Sequence, residues 1–420
     1  MHKAAKTKLD DFLEVVKVYE GISAFWFFHK STENCLKPLY EVLKSINPSI
    51  QDFIQEEDIG FIICDEITKH LRTKTEVSGK ISTIERWQKY FNSDEIEPMK
   101  SKIMRMLDSI PLEYKLILTL GETSCEGFKN LSLEMGQGLN LVGVDPKALP
   151  IVGELGIYPR LSAEYYEERV LRSGSHLAII KHFKGYTQNA KETYSVNKAL
   201  ESIDMFISLG IIFGLFAIRK QFIVDLVSQK YITIVNKNNK FVGLFNLPYD
   251  KSKTLHNLII IDRNNFASEV IHKTKHINSY LDLLTNKMNE DAKEFTNKIN
   301  NILYWFLTGT TSTNQTLGFI SLMTCFESCY SGPDESREKD QTLTKKASYF
   351  IAFHYGERRQ IYLDLEKIRI LRNKVIHEGF KLESDEDLLL KSILIEYLKT
   401  TIAKELIMYL DNKASSNEVI

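Results

Sequence analysis

Arg372, Asn373 and His377 stand close together in a segment whose residue types suit proton transfer beside a phosphate. A histidine can accept and donate a proton near neutral pH. An arginine offers a planar set of donors to a phosphate and keeps its positive charge. Together they could cleave RNA without a metal, because the histidine would take the proton of a ribose 2′-hydroxyl and the arginine would stabilise the charge on the phosphorus oxygens. The products would be a 2′,3′-cyclic phosphate and a 5′-hydroxyl.

The segment that must position these side chains has the periodicity of an amphipathic helix. Arg369, Asn373 and His377 are spaced by four residues and share one face, toward which the long side chain of Arg372 could swing. Gly379 follows directly and predicts the end of the helix, because glycine accepts the left-handed conformation. Apolar residues recur at close to helical spacing on the other side, at Ile361, Leu365, Ile368, Leu371, Val375 and Ile376.

The same residues carry a family resemblance. Arg372-Asn373 followed by His377 resembles the R-N-x-x-x-H form of the R-x4-6-H motif of HEPN ribonucleases. Residues 322–330 and 343–352 resemble two core helices of the Apea-like HEPN group, so the likeness covers about the last third of the chain. A common variant of the motif has tyrosine two residues after the histidine. Gly379 stands there in this chain, so a mechanism that needs that tyrosine does not carry over.

The resemblance implies a metal-independent endoribonuclease that acts as a homodimer and needs no cofactor. In the dimer one histidine would serve as the base while the other protonates the leaving oxygen. HEPN proteins often serve as regulated toxins in anti-phage defence by abortive infection or in toxin–antitoxin pairs, and structured RNA such as tRNA is a common substrate. The trigger would be a phage-derived molecule or the loss of an inhibitory partner. The implied catalytic residues are Arg372, Asn373 and His377, and the resemblance allows Glu327 and Lys346 to line the cleft. Arg358 and Arg369 are candidates to bind RNA because they belong to local basic patches.

The alternative from another class is a non-catalytic HEPN-like module that dimerises, or binds RNA or a partner. An Arg-x4-His pair also arises by chance, on the solvated polar face of an ordinary surface helix. A shared basic cleft for Arg372 and His377 would favour the nuclease. Burial of the two side chains in separate contacts would favour the binding module.

Composition narrows the choice of class and compartment. Hydrophobic residues make up 43% and charged residues 26% of the 420 residues, as in globular proteins, and the net charge of −1 leaves RNA binding to local basic patches. The five cysteines form no framework, which favours a reducing compartment, and Cys325 and Cys329 are predicted to be buried residues rather than half a metal site. No secretory signal is evident, and the longest apolar run, residues 205–218, is too short for a membrane span. We therefore expect a cytoplasmic protein without membrane contact.

The sequence predicts a mainly helical α+β protein in two parts. Residues 1–265 would form a sensor or regulatory region, mostly helical up to a sub-boundary near residue 111 and mixed α+β beyond it. Residues 266–413 would form an all-α HEPN-like bundle of five helices, and residues 414–420 a disordered tail. The bundle helices are predicted at residues 277–307, 314–330, 343–355, 361–378 and 387–410. Elsewhere helices are predicted at residues 50–71, 81–91 and 196–227, and strands at 114–120, 139–144, 176–183, 231–235, 241–245 and 258–263.

Overall fold

The structure is a computed structural model in which the chain divides into two compact units. The first unit comprises Met1–Leu116, His182–Leu200 and Thr233–Phe245, and the second comprises Ile117–Lys181, Glu201–Ile232 and Asn246–Ile420. The predicted bundle lies wholly within the second. The structure describes residues 3–15, 17–20, 25–27, 33–74, 85–86, 93–120, 131–144, 176–187, 193–218, 231–246, 258–260, 277–282, 290–330 and 340–417.

Amphipathic helices build the core of the first unit. They are α1 (Lys3–Val15), α2 (Glu33–Ile46), α3 (Glu56–Lys74) and α4 (Ser93–Asp108), with a 3-10 turn at Pro48–Asp52. Leu9, Leu39, Ile63 and Ile103 are buried together where the helices meet. Burial of one apolar face by each helix supplies the stability that an isolated helix lacks.

The first 110 residues are mostly helical, as predicted, but they also contain three short strands that the sequence did not predict. Strands β1 (Lys17–Glu20), β2 (Phe25–Phe27) and β3 (Glu85–Arg86) form an antiparallel sheet in the order β2-β1-β3. Sequence patterning predicted no strand at the aromatic segment 25–27, and residues 85–86 fall within the predicted helix 81–91. Aromatic side chains suit a pleated sheet, and pairing with β1 overrides the local helical pattern.

A six-stranded sheet occupies the middle of the chain, in the order β10-β9-β4-β7-β6-β5, and a separate pair joins β8 to β11. The predicted strands in this region are confirmed, and among the described residues sequence patterning missed the three-residue strands β5 and β8. The hairpin turn between β9 and β10 is closed by Asn236, whose side chain accepts hydrogen bonds from the backbone of residues 238 and 240. The strands are β4 (Leu112–Leu120), β5 (Ser132–Glu134), β6 (Leu139–Val144), β7 (His176–Gly185), β8 (Phe216–Ile218), β9 (Tyr231–Asn236), β10 (Phe241–Asn246) and β11 (Leu258–Ile260).

Helix α5 (Tyr194–Ile212) is shorter than the predicted helix 196–227. It ends because Gly214 adopts a left-handed conformation at φ +71° and turns the chain back. Phe216 then packs edge-on against Phe206, with ring centroids 5.7 Å apart, and a Cβ at Gly210 would lie 2.3 Å from the Phe216 ring. No helix among the described residues is long and apolar enough to cross a membrane.

The C-terminal helices form the predicted bundle, with shifted boundaries. Residues 277–282 and Glu290–Thr311 are helical, and the last helix continues to Asn417, into the segment 414–420 that was predicted to be disordered. Because residues 385–417 contain no glycine or proline, nothing in the sequence stops that helix earlier. The helices are α6 (Glu290–Thr311), α7 (Gln315–Tyr330), α8 (Asp340–Ile351), α9 (Tyr355–Glu378) and α10 (Asp385–Asn417).

Small residues bring α6 and α7 into close contact. A Cβ at Gly309 would lie 2.6 Å from the side chain of Leu322 and 2.7 Å from the carbonyl oxygen of Gly318, so neither helix could carry a larger residue there without moving. Cys325 and Cys329 are buried on α7, as predicted. This contact holds α7, which carries Glu327, against α6.

Candidate functional site

Helix α9 carries the motif and packs into the bundle through its apolar stripe. Ile361, Leu365, Ile368, Leu371 and Val375 are buried, whereas Ile376, which was assigned to the same stripe, is 46% exposed. The helix ends after Glu378 because Gly379 takes φ +68°, and the glycine N–H donates to the carbonyl of Lys374. The apolar stripe and the glycine stop therefore hold the last turn of α9 in one place.

Arg372 is half-buried and is held by two neighbours. Its Nη2 donates to Oε1 of Glu327 on α7 at 3.2 Å, and its Nη1 donates to Oδ1 of Asn373 at 3.3 Å. A guanidinium group has five N–H donors, so these two bonds leave donors for a further acceptor. The sequence placed Glu327 in the cleft by resemblance alone, and the structure brings it to Arg372.

Arg369 lies beside Arg372 and is engaged by a residue that sequence reasoning missed. Its Nε and Nη2 donate to Oε2 of Glu366 at 3.2 and 2.9 Å, and Oε1 of Glu366 accepts a hydrogen bond from Thr344 on α8 at 3.0 Å. The spacing of three residues between Glu366 and Arg369 is the pattern that could have identified this pair.

A narrow cavity of about 10 Å³ lies among α7, α8, α9 and α10, with Glu327, Arg369 and Arg372 in its wall. The apolar part of the wall includes Phe326 and Leu365. Such a volume holds about one water molecule and cannot admit a nucleotide. A ligand as large as a phosphate group could therefore reach Arg372 only from the outer surface.

His377 is exposed on the last turn of α9 and makes no hydrogen bond or ion pair with the rest of the described chain. It lies five residues after Arg372, which on a helix means about 7.5 Å along the axis and about 140° around it. The sequence allowed the side chain of Arg372 to swing toward the face of His377, but in the structure it points to Glu327. A single protomer therefore does not bring the two motif side chains to one point.

Arg358 lies apart from this cluster. Lys346 is exposed on α8, and Arg358 lies on the first turn of α9, fourteen residues before Arg372. The Arg358 Nε donates to the carbonyl of Ala352 at 3.0 Å, and its guanidinium lies 4.6 Å from the ring centroid of Tyr349. These contacts belong to the junction of α8 and α9, about 20 Å from the motif along the helix.

A buried carboxylate anchors the middle of α9 to α10 and was also missed by sequence reasoning. Asp364 accepts hydrogen bonds from Tyr397 at 2.8 Å and from Gln360 at 2.9 Å. Burial, together with the bond to Asp364, raises the pKa of Tyr397 above its usual range. Tyr397 therefore stays protonated and donates a hydrogen bond that links α10 to the middle of α9.

Among the residues that the structure describes, no group of three or more histidine, cysteine, aspartate or glutamate side chains could hold a metal ion. Comparison of the chain with protein-family models, with curated proteins and with solved structures gave no match.

Proposed function

We propose that this protein is a metal-independent endoribonuclease of the HEPN type, with His377 as the proton-transfer group and Arg372 as the phosphate-binding group. One observation carries the proposal. The last turn of a firmly packed helix presents an exposed histidine, five residues after an arginine that Glu327 and Asn373 hold in place. Fixing both groups on one packed helix limits the loss of geometry that reduces catalysis.

In the reaction, His377 would take the proton of a ribose 2′-hydroxyl, and that oxygen would attack the adjacent phosphorus. The bond from phosphorus to the 5′-oxygen breaks, and a second histidine returns a proton to the leaving oxygen. Arg372 stabilises the charge that builds on the non-bridging oxygens. The products are a 2′,3′-cyclic phosphate and a 5′-hydroxyl. Asn373 contacts Arg372 and is a positioning residue.

The separation of Arg372 and His377 around α9 favours a homodimer. Two copies that pack with α9 near a two-fold axis would supply two histidines and two arginines to one cleft. Light scattering at micromolar concentration should therefore give the mass of a dimer. A monomer that cleaves RNA at the full rate would contradict this assembly.

The cellular role follows from the resemblance to HEPN effectors. A nuclease that attacks cellular RNA, including tRNA, needs control, and we assign that control to residues 1–265. Activity would be released by a phage-derived trigger or by loss of an inhibitory partner. The role would be that of a toxin in abortive infection or in a toxin–antitoxin pair.

The test is cleavage of total RNA by purified protein in the presence of EDTA, followed by mapping of the new ends. We expect cleavage to persist and to leave 2′,3′-cyclic phosphate and 5′-hydroxyl ends. Activity that disappears with EDTA and returns with magnesium would overturn the proposal, because a bound metal would then supply the chemistry assigned to His377 and Arg372.

The ion pair of Arg372 with Glu327 is the observation that favours the alternative, a non-catalytic dimerisation or RNA-binding module. An arginine whose charge is offset by a carboxylate can serve the packing of α7 against α9 alone. This module would bind RNA or a second copy of the chain, and substitution of His377 would leave its binding unchanged and reveal no loss of RNA cleavage.

A further inference from the structure

Three aromatic rings stand out from the surface where α8 gives way to α9. Phe353 is 82% exposed, Tyr355 is 78% exposed and Tyr349 is 58% exposed. Single exposed apolar side chains are common, but three large rings within seven residues form a patch that marks an interaction surface. We call Tyr349, Phe353 and Tyr355 the aromatic platform.

The backbone under the platform is firmly held. Lys404 on α10 donates to the carbonyls of Phe350 and Ile351 at 3.2 and 2.7 Å, which satisfies the end of α8. Arg358 donates to the carbonyl of Ala352, and the connection between the two helices is only residues 352–354. The exposed rings are therefore displayed in a fixed place, which lowers the entropy lost when a ligand binds.

The surroundings of the platform are basic. Residues 345–360 contain four basic side chains, Lys345, Lys346, Arg358 and Arg359, and one acidic side chain, Glu357. Lys345 precedes Tyr349 by four residues on α8, and Arg359 follows Tyr355 by four residues on α9, so each shares a face with one ring. A ligand that fits must offer planar apolar faces and negative charge together.

Open space lies beside the rings. A Cβ at Gly356, between Tyr355 and the two arginines, would meet no atom within 4 Å. The Arg358 guanidinium already lies 4.6 Å from the Tyr349 ring centroid, a cation–π contact that shows this ring to be open to a ligand-sized group from the side.

We propose that the aromatic platform binds single-stranded nucleic acid, with bases stacked on its rings and phosphates near its basic side chains. Bases stack on exposed aromatic rings without regard to sequence, whereas a duplex hides its base faces. Resting on the proposed nuclease function, this site narrows the substrate to RNA with a single-stranded or looped segment. Tyr355 lies about 33 Å from His377 along α9, so a strand of about 10 nucleotides reaches both sites.

The test measures binding of a fluorescent single strand of about 20 nucleotides of DNA to the full chain, beside the same strand annealed to its complement. DNA lacks the 2′-hydroxyl and survives the proposed reaction, so the motif residues stay intact during the measurement. We expect Phe353→Ala and Tyr355→Ala each to weaken single-strand binding about fivefold or more. Phe353→Tyr keeps the ring and should bind like the parent. Tyr304→Ala removes an exposed tyrosine of α6, which is 62% exposed, and should change nothing.

Equal binding of single strand and duplex, or unchanged binding by both alanine variants, would overturn the platform. It would also be overturned if those variants lowered the mass of an oligomer without changing nucleic-acid binding, because the rings would then contact protein. The proposed reaction fails separately. If the parent binds the single strand through the rings but cleaves no RNA, the platform stands and the nuclease does not.

Discussion

Substitution of Glu327 by glutamine tests whether this carboxylate positions Arg372. The change keeps an oxygen acceptor of the same shape and removes the negative charge. The Arg372 Nη2 and Glu327 Oε1 atoms are 3.2 Å apart, and the two side chains are 23% and 39% exposed. Solvent screens a pair of this exposure, so the free energy of unfolding should fall by no more than about 1 kcal/mol.

The effect on cleavage should be larger than the effect on stability. Arg372→Ala removes the group proposed to bind the developing charge and should slow cleavage about 10²-fold or more. Glu327→Gln leaves Arg372 in place but less well oriented, and we expect a loss of about tenfold. Because Glu327 acts through Arg372, adding Glu327→Gln to Arg372→Ala should slow cleavage no further.

The assay combines initial rates of RNA cleavage with thermal melts of the two single variants and the double variant. The matched control is Glu396→Gln, which breaks the exposed pair of Glu396 with Lys399 on α10 and should leave the cleavage rate unchanged. Faster cleavage by Glu327→Gln would refute the reasoning, because Glu327 would then hold the guanidinium away from RNA. Losses that multiply in the double variant would refute it too, because the two residues would then act independently.

Three further predictions concern stability. Val375→Ala should lower the free energy of unfolding by about 2 kcal/mol because Val375 is buried, and cleavage should follow the folded fraction. Ile376→Ala, at a half-exposed site, should lower it by under about 0.5 kcal/mol. Equal losses in urea melts would contradict the assignment of Val375 to the buried stripe. Gly379→Ala should lower the free energy of unfolding by about 1 kcal/mol, because alanine is strained in the left-handed conformation. The added Cβ would meet no atom within 4 Å, so no steric clash contributes. An unchanged urea midpoint would contradict the left-handed end of the helix. Burial lowers the pKa of Lys181 to about 8, so the unfolded chain binds more protons than the folded chain between pH 8 and about 10.4. The free energy of unfolding should therefore rise with pH across that range, and Lys181→Met should flatten the rise. Equal slopes for the parent and the variant, in melts at several pH values, would contradict this role of Lys181.

Local patterns identified most of the elements because periodicity and turn chemistry act over a few residues. Most of the buried stripe of α9, its stop at Gly379 and the two strands that flank Asn236 were each predicted from neighbouring residue types. The end of α5 was missed, because Gly214 ends a helix only when Phe216 can return to pack against Phe206. That packing depends on the fold and not on the local pattern.

The candidate site was predictable in its residue types but not in its orientation. Spacing alone allowed the Arg372 side chain to turn toward His377 or away from it. The ion pair with Glu327 on α7 directs it away from His377. A carboxylate 45 residues away in sequence leaves no periodic trace. The contact of Arg358 with Tyr349 likewise depends on how α8 meets α9, so the sequence, which singled out Arg358 by its charge, did not predict its aromatic neighbour.

The role of His377 as the proton-transfer group is tested most directly by His377→Ala, measured beside Glu378→Ala, which removes the next exposed side chain of the same helical turn. Both residues are exposed, so both variants should melt at the temperature of the parent. In EDTA, His377→Ala should cleave RNA about 10²-fold more slowly or worse, while Glu378→Ala keeps the rate of the parent. A folded His377→Ala protein that cuts RNA as fast as the parent would contradict the nuclease and leave the binding module in its place.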